Sequence, residues 1–466
     1  MTGKERLLAT INHREPDRVC LDFGATPVTG IHASIVNKLW LRTFGQHDYR
    51  VKVTEPYQML GEIDPGLRDA LGIDVIGIPG RKSLLGTDEE GPWKPFRIFD
   101  GTEVMVHHNL NWTVDEATGD LLVYPGGDLA SAPSARMPNG GYFFDTIIRQ
   151  EPIVEEHLRV EDNTQEFNLF NGDDLNYYRN KRRLLDRNPE YGAVLSVPAT
   201  GFGDIATVPA PFLKDPKGIR DIQEWYVSPL MRRDLVYAIF EKQCEVGLMN
   251  LDYLIDILGD SVQVAMVSGT DFGTQTGLFI SPDTFRDLWK PFYTAINRKI
   301  HEKTNWKTFI HSCGAVRDLI PDFIDAGFDI LNPVQVSAAG MDARELKREF
   351  GRDIVFWGGG VDTQKTLPYG TPDQVYREVR ERIEIFVVST PGSRLIMASR
   401  QSRRKSFSSY HLWRNPPRSQ ETKITVSSSW SSVLTASAVI VTGPSTPSEI
   451  LMRNWAPRTT GWSGVT

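Results

Sequence analysis

The sequence predicts an eight-stranded β/α barrel, a (β/α)8 fold of the TIM type, whose eighth strand is missing or replaced. Short apolar runs typical of buried strands alternate with single helical stretches, which indicates parallel strands joined by right-handed crossovers. Polar, amide-rich and glycine-rich residues follow strand after strand, where such barrels keep their chemistry. The 466 residues, 40% of them hydrophobic, are enough for one large barrel or two ordinary domains. An open doubly wound sheet is the alternative, but no glycine-rich phosphate fingerprint follows the first predicted strand.

The elements follow one another in the rhythm that this fold requires. A capping box, Thr2-x-x-Glu5, opens the first helix, which ends near Asn12. Seven strands are predicted at 19–24, 74–78, 193–197, 262–267, 306–310, 328–331 and 354–357. Further helices are predicted near 31–43, 174–187, twice within 218–258, and at 282–302, 316–326, 341–349 and 372–386. Turn signals at about 85–150 predict a small antiparallel insertion, with an independent binding module as the alternative.

A change in composition divides the chain near residue 386. Residues 387–466 contain ten Lys and Arg against two Asp and Glu, 17 serines and no aspartate. Residues 1–386 hold the remaining 42 basic and 57 acidic residues. We therefore predict a barrel domain at 1–386 and a Ser/Arg-rich tail at 387–466 that does not belong to it. A frameshift near codon 386 and a genuine disordered extension are the two hypotheses for this tail.

Composition also narrows the classes of function and partner. The net charge of -7 gives no reason to expect nucleic acid as a partner. No apolar run approaches the 18 residues of a membrane span, and the N-terminus has no apolar stretch of the signal-peptide kind. Three cysteines cannot form a disulfide framework, so we expect a cytoplasmic enzyme acting on a small molecule. An uncapped barrel could also recruit a second copy as a homodimer.

His311-Ser-Cys313-Gly is the most informative motif, because it stands at the end of a predicted strand. An imidazole and a thiol two residues apart are suitable ligands for zinc. Asp22, in the first predicted strand, and Asp271, after the fourth, are the candidates for handling a proton. The candidates for binding substrate are His32, Gln275, Asn332, Gln335, Asp362 and Gln364. Each residue also has a structural interpretation: a cysteine can fill a small apolar space, and Asp or Asn can bond to a turn.

Seven segments of the chain carry a family resemblance: Glu5-Arg, Asn12-His-Arg-Glu-Pro-Asp-Arg-Val19, Asp271-Phe-Gly-Thr-Gln275, His311-Ser-Cys-Gly314, Asp329-Ile-Leu-Asn-Pro-Val-Gln335, Leu346-Lys-Arg-Glu-Phe-Gly351 and Gly359-Gly-Val-Asp-Thr-Gln364. Together they resemble the uroporphyrinogen decarboxylase (URO-D) superfamily, over about residues 3–386. The resemblance implies a β/α barrel.

The resemblance implies one of two chemistries. True decarboxylases of this superfamily carry an Arg-Gln-Ala-Gly-Arg signature that holds the carboxylates of a tetrapyrrole, whereas this chain has Leu21-Asp-Phe-Gly-Ala-Thr. The other branch transfers methyl groups with a corrinoid or cobamide, free or on a corrinoid protein, and binds zinc through a His-x-Cys pair and a later Cys. His311 and Cys313 match that pair, and no Cys follows Cys313. The sequence therefore favours zinc-assisted methyl transfer, with tetrapyrrole decarboxylation, or an inactive remnant of a barrel, as the alternatives.

Overall fold

The computed structural model describes residues 1–386, so the predicted tail at 387–466 and the eighth strand lie outside the described residues. The strands are β1 (Val53–Glu55), β2 (Leu60–Gly61), β3 (Val75–Ile78), β4 (Trp93–Arg97), β5 (Glu103–His107), β6 (Trp112–Val114), β7 (Leu121–Val123), β8 (Ala135–Met137), β9 (Asp145–Thr146), β10 (Gly192–Ser196), β11 (Val264–Ser268), β12 (Lys307–His311), β13 (Ile330–Asn332) and β14 (Val355–Phe356). The helices are α1 (Gly3–Ile11), α2 (Ala33–Phe44), α3 (Pro65–Leu71), α4 (Gly172–Asp186), α5 (Ile222–Met231), α6 (Arg233–Leu258), α7 (Pro282–Leu288), α8 (Lys290–Lys303), α9 (Ile320–Asp325), α10 (Ala343–Phe350), α11 (Thr366–Tyr369) and α12 (Pro372–Phe386). No helix within residues 1–386 is both long enough and apolar enough to cross a membrane.

The centre of the fold is a six-stranded parallel sheet in the order β3-β10-β11-β12-β13-β14. The order of these strands across the sheet is the same as their order along the chain. The α/β class and the parallel pairing that the sequence predicts are therefore confirmed. All strand C-termini consequently lie at the same edge of the sheet, where His311 and Asn332 end their strands.

The sheet curves until its two ends approach each other. Asp22 lies beside β3, because the neighbouring Leu21 carbonyl accepts a hydrogen bond from Asp74 N at 2.9 Å. Trp357 follows β14 at the opposite end, yet its indole Nε1 donates to Asp22 Oδ2 at 3.1 Å. Six flat strands would hold these ends about 24 Å apart, at about 4.8 Å per strand interval. The contact therefore requires a strongly curved sheet.

The inner and outer faces of the sheet have separate cores. The inner cluster contains one apolar residue from each of the six strands, together with Leu7 and Ile11 of α1. Helix α1 begins with the predicted capping box between Thr2 and Glu5. The outer face packs against the helices in a much larger cluster that includes Trp306 and Phe323. This division explains why the strands are apolar on both faces.

A second structural unit is inserted between β3 and β10. Strands β4 and β5 form an antiparallel pair, and β6-β7-β8-β9 form an antiparallel sheet of four. These strands fall at 93–146, inside the stretch of about 85–150 where turn signals predict an insertion. They share an apolar core with α2 and α3 that is distinct from the two cores of the parallel sheet.

Two of the predicted elements are wrong. Residues 19–24 form no strand, because Leu21 N donates to the Asp74 side chain at 2.8 Å instead of to a strand backbone. The single helix predicted at 282–302 is two helices, α7 and α8, which meet at Lys290. Pro291, at the start of α8, has no N–H to continue the hydrogen bonding of α7, so the proline was the signal for the break.

Candidate metal centre at the ends of the parallel strands

Strand β12 places His311 and Cys313 at the carboxyl edge of the sheet. His311 is its last residue, and side chains alternate between the two faces of a strand. His311 therefore shares the inner face with Phe309, which belongs to the inner core, and lies one layer nearer the edge. Its side chain is 6% exposed. The imidazole is thus fixed in a partly closed space, with the thiol of Cys313 on the loop immediately beyond it.

Asp271 joins this pair from the loop after the neighbouring strand β11. Cys313 Sγ lies 3.4 Å from His311 Nε2, and Asp271 Oδ1 lies 3.6 Å from the same nitrogen. The three donor atoms all lie within 4.8 Å of one another. A tetrahedral zinc ion with bonds of about 2.1–2.3 Å holds its donor atoms about 3.4–3.7 Å apart. The two shortest separations fit that geometry, and sulfur, nitrogen and carboxylate oxygen are all common zinc ligands.

Asn332, at the end of β13, fixes the imidazole in the tautomer that a metal requires. Its Nδ2 donates to the Trp357 carbonyl at 2.7 Å, so its Oδ1 is the atom that faces His311 Nδ1, at 2.6 Å. The Trp357 carbonyl can only accept, so the Asn332 atom that faces it must be the donating Nδ2. The amide oxygen Oδ1 that faces His311 can also only accept, so His311 Nδ1 carries the proton. Nε2 then presents a lone pair towards Cys313 and Asp271. Metal-binding histidines are commonly oriented by such an outer partner.

The loop that carries Cys313 is held by hydrogen bonds from both sides. Cys313 N donates to Asp271 Oδ1 at 2.6 Å, and Gly314 N donates to Gln335 Oε1 at 2.8 Å. Gly314 has φ +90°, and a Cβ there would overlap the backbone of Gly273. Only glycine fits this close approach of two loops. Burial, and then the charge of Asp271, raise the pKa of the Cys313 thiol in the metal-free protein.

Asp22 lies beside β3, at the other end of the row of strands. It is 6% exposed, accepts from Trp357 Nε1, and accepts from Ala25 N at 3.1 Å. Burial raises the pKa of this carboxyl to about 6. Trp357 thus links Asp22 to Asn332, and through Asn332 to His311.

Sequence reasoning missed two residues beside this site, Asp204 and Tyr226. Asp204 follows β10, in a loop that contacts the loop carrying Asp271 through the Thr270–Phe202 hydrogen bond. Burial, and then Asp271, raise the pKa of Asp204 to about 7. Tyr226 of α5 stacks on Phe279 with ring centroids 4.7 Å apart, and its hydroxyl oxygen is buried without a hydrogen-bond partner among residues 1–386. Inspection of the residues after the third predicted strand would have identified Asp204.

The structure shows the contacts of the other residues that were predicted to bind substrate. Asn332 and Gln335 contact the His311–Cys313 segment directly, as described above. His32 instead caps α2 and contacts the Tyr142 carbonyl at 2.8 Å, so both of its ring nitrogens are used away from the His311–Cys313–Asp271 cluster. Asp362 accepts from the backbone N–H groups of Gln364 and Lys365, in the turn before α11. Gln275 is exposed on the loop beyond Asp271.

Comparisons with known proteins agree with these features of the sequence. Residues 212–399 match the uroporphyrinogen decarboxylase (URO-D) family model, a range that includes Asp271, His311, Cys313 and Asn332. The methylcobamide:CoM methyltransferase MtaA of Methanosarcina barkeri is 25% identical over 186 residues, 40% of this chain. The chain spans about half the length of this curated relative, since the match covers 50% of it. A solved methyltransferase from Methanosarcina mazei, 15% identical, covers 82% of this chain and 90% of its own, with a TM-score of 0.44. The predicted resemblance to the uroporphyrinogen decarboxylase superfamily is confirmed, and residues 212–399 are the part of the chain that matches its family model.

Proposed function

We propose that this protein is a zinc-assisted methyltransferase that moves a methyl group between a corrinoid and a thiol. The observation that carries the proposal is the cluster of His311, Cys313 and Asp271, in which the sulfur and the carboxylate oxygen lie 3.4 and 3.6 Å from His311 Nε2, as around a tetrahedral zinc ion. A bound zinc ion would hold the sulfur of a thiol substrate as the nucleophilic thiolate. The relative named methylcobamide:CoM methyltransferase supports both the methyl group's carrier and the class of acceptor. The corrinoid would be a free cobamide or the group of a corrinoid protein.

In such a site, some residues of this chain would bind the zinc ion and others would position the ligands. His311 Nε2, Cys313 Sγ and Asp271 would hold the ion, and Asp271 would take the place of the later Cys that the family resemblance implies. Three protein ligands leave one tetrahedral position for a substrate, as in catalytic zinc sites. Asn332 would keep the imidazole oriented, and the buried Asp22–Trp357 contact would keep Asn332 and the inner wall in place.

Tetrapyrrole decarboxylation has less support. A substrate with many carboxylates needs cationic side chains, above all bidentate arginines. Among residues 1–386, no Arg or Lys side chain bonds to Asp22, Asp204 or Asp271. The charge of this space is therefore the opposite of what such a substrate requires.

We also propose that the curved sheet is part of a (β/α)8 barrel. Three observations support this proposal: the strands are added in one direction, all six contribute to one inner core, and the two ends meet at Asp22 and Trp357. The family match ends at residue 399, beyond the predicted domain boundary at 386. A crystal structure in which residues after 386 leave the gap between β14 and residues 20–23 open would contradict the barrel.

Zinc content is the first test of the proposed function. The full chain, purified without added metal, should contain about one zinc per chain, and His311→Ala or Cys313→Ala should remove it. Cys244→Ala is the matched control, because it deletes another buried thiol, on α6, away from the cluster. Methylcobalamin and a thiol should then yield the methyl thioether with the wild type and not with Cys313→Ala. A folded protein that contains no zinc and takes up none, or a Cys313→Ala variant that retains it, would overturn the proposal.

A further inference from the structure

Asp271 belongs to the metal centre, Asp204 lies on the neighbouring loop, and Asp22 is linked to the centre through Trp357 and Asn332. Among the described residues, these three carboxylates are bonded only to backbone N–H groups, to the Thr29 hydroxyl, to the Trp357 indole and to the cluster itself, and to no basic side chain. Cys313 and Asp271, as ligands, would offset the two positive charges of a zinc ion. The charge of Asp204 would then remain without a counter-charge.

Asp204 is held at this place by contacts between two loops. Thr270 Oγ1 donates to the Phe202 carbonyl at 3.0 Å, which ties the loop after β11 to the loop after β10. Asp204 Oδ1 accepts from Ala206 N at 2.9 Å. Oδ2 points towards Gly269, where an added Cβ would lie 3.0 Å from it. This second oxygen has no hydrogen-bond donor among residues 1–386, so it is free to accept one from a ligand.

Tyr226 supplies a second polar group without a partner. Its ring is positioned by Phe279, and its hydroxyl oxygen is buried and makes no hydrogen bond within residues 1–386. Burial raises the pKa of Tyr226, and the charges of Asp271 and Asp204 raise it further. An aromatic ring next to a carboxylate is a favourable surrounding for a cation.

We propose that the thiol acceptor of this enzyme carries a positive charge, or none, beyond its sulfur, and that Asp204 sets this preference. The inference rests on the proposed function, because it assumes that the thiol binds at the metal centre. A cationic group two or three bonds from the sulfur would face Asp204 and Tyr226, whereas an anionic group would face an unpaired carboxylate. At the separations within such a site, unit charges change binding by at least about tenfold. The relative's acceptor, coenzyme M, is 2-mercaptoethanesulfonate and thus of the disfavoured charge.

The test uses three thiols that share a two-carbon chain and differ in charge. They are thiocholine, 2-mercaptoethanol and 2-mercaptoethanesulfonate. Thiocholine is chosen because its quaternary nitrogen cannot ligate zinc. Dissociation constants for the zinc-loaded full chain, measured by calorimetry at pH 8, should favour thiocholine over 2-mercaptoethanesulfonate by at least about tenfold. Methyl transfer from methylcobalamin should follow the same order in kcat/KM.

Asp204→Asn should reduce this preference to about threefold or less while leaving the zinc content unchanged. Asp204→Ser provides the same comparison if the first variant does not fold. Asp234→Asn is the control, since it removes one negative charge from a side chain that is 96% exposed on α6. The inference is overturned if 2-mercaptoethanesulfonate binds as tightly as thiocholine, if none of the thiols binds, or if Asp204→Asn keeps the full preference. Binding in the expected order without methyl transfer would refute the proposed function alone.

Discussion

Replacing Asn332 by Leu tests the argument that this amide prepares His311 for a metal. Asn332 is fully buried, and it joins His311 Nδ1 to the Trp357 carbonyl through bonds of 2.6 and 2.7 Å. Leucine has a similar size but makes neither bond. The substitution leaves one buried N–H and one buried carbonyl unpaired, at about 1–3 kcal/mol each. The free energy of unfolding should therefore fall by about 2–6 kcal/mol.

The same substitution should weaken zinc binding by about 10–100-fold, the usual effect of losing an outer partner of a metal ligand. Asn332→Asp is the informative companion. It keeps the acceptor for His311 Nδ1–H and loses only the donor to the Trp357 carbonyl. We expect this variant to retain zinc affinity while still losing stability.

Zinc affinity can be measured by competition with a chromophoric chelator, and stability by guanidinium unfolding of the metal-free protein. The two readouts separate the effect on the fold from the effect on the metal. If Asn332→Leu is folded and binds zinc as tightly as the wild type, the tautomer argument is wrong. If Asn332→Asp loses as much affinity as Asn332→Leu, the hydrogen bond to His311 is not what matters.

Three further predictions concern the surroundings of the site. Asp22 has a folded-state pKa of about 6 against about 3.9 unfolded, so its ionisation costs stability as the pH rises through this window. Asp22→Asn should therefore raise the free energy of unfolding by about 1–3 kcal/mol at pH 7 and by little near pH 4, as urea unfolding at both pH values would show. Equal gains at the two pH values would contradict burial as the cause. Gly314→Ala should abolish zinc binding or lower Tm strongly, because φ +90° and the nearby Gly273 backbone leave no room for a methyl group. A variant with wild-type zinc content and Tm would refute this prediction. Asp74→Asn should cost about 3–5 kcal/mol, since the buried carboxylate pairs with Arg6 and Arg18 at the start of the chain; an unchanged denaturation midpoint would show that the pairs contribute nothing net.

The sequence predicted those parts of the fold that depend on local pattern. Six of the seven strands lie within two residues of the predicted ends, because buried parallel strands are unbroken apolar runs. The strand predicted at 19–24 failed because Asp74 supplies a side-chain acceptor where a backbone carbonyl would be needed. That partner is more than fifty residues away in the chain, and no local pattern reports it.

The site was predictable where a residue directly follows a strand, and less so where its role depends on a distant partner. His311, Cys313, Asp271 and Asn332 converge because the carboxyl ends of β11, β12 and β13 lie side by side. Asp362 also follows a strand, but its carboxylate is used by the turn that begins α11. Strand position alone does not separate a ligand from a turn residue; the separation requires knowing which N–H groups lie within reach.

In the proposed zinc site Asp271 would take the place of a later Cys, since no Cys follows Cys313. The three candidate ligands lie within residues 271–313, at the carboxyl ends of two adjacent strands. A carboxylate in place of a thiolate keeps the charge of the ligand set and replaces a soft ligand with a hard one. Asp271→Cys should therefore keep zinc and bind it more tightly, whereas Asp271→Ala should weaken it, as chelator competition can measure. If Asp271→Ala binds zinc with unchanged affinity, Asp271 is not a ligand, and the third donor must lie beyond the described residues.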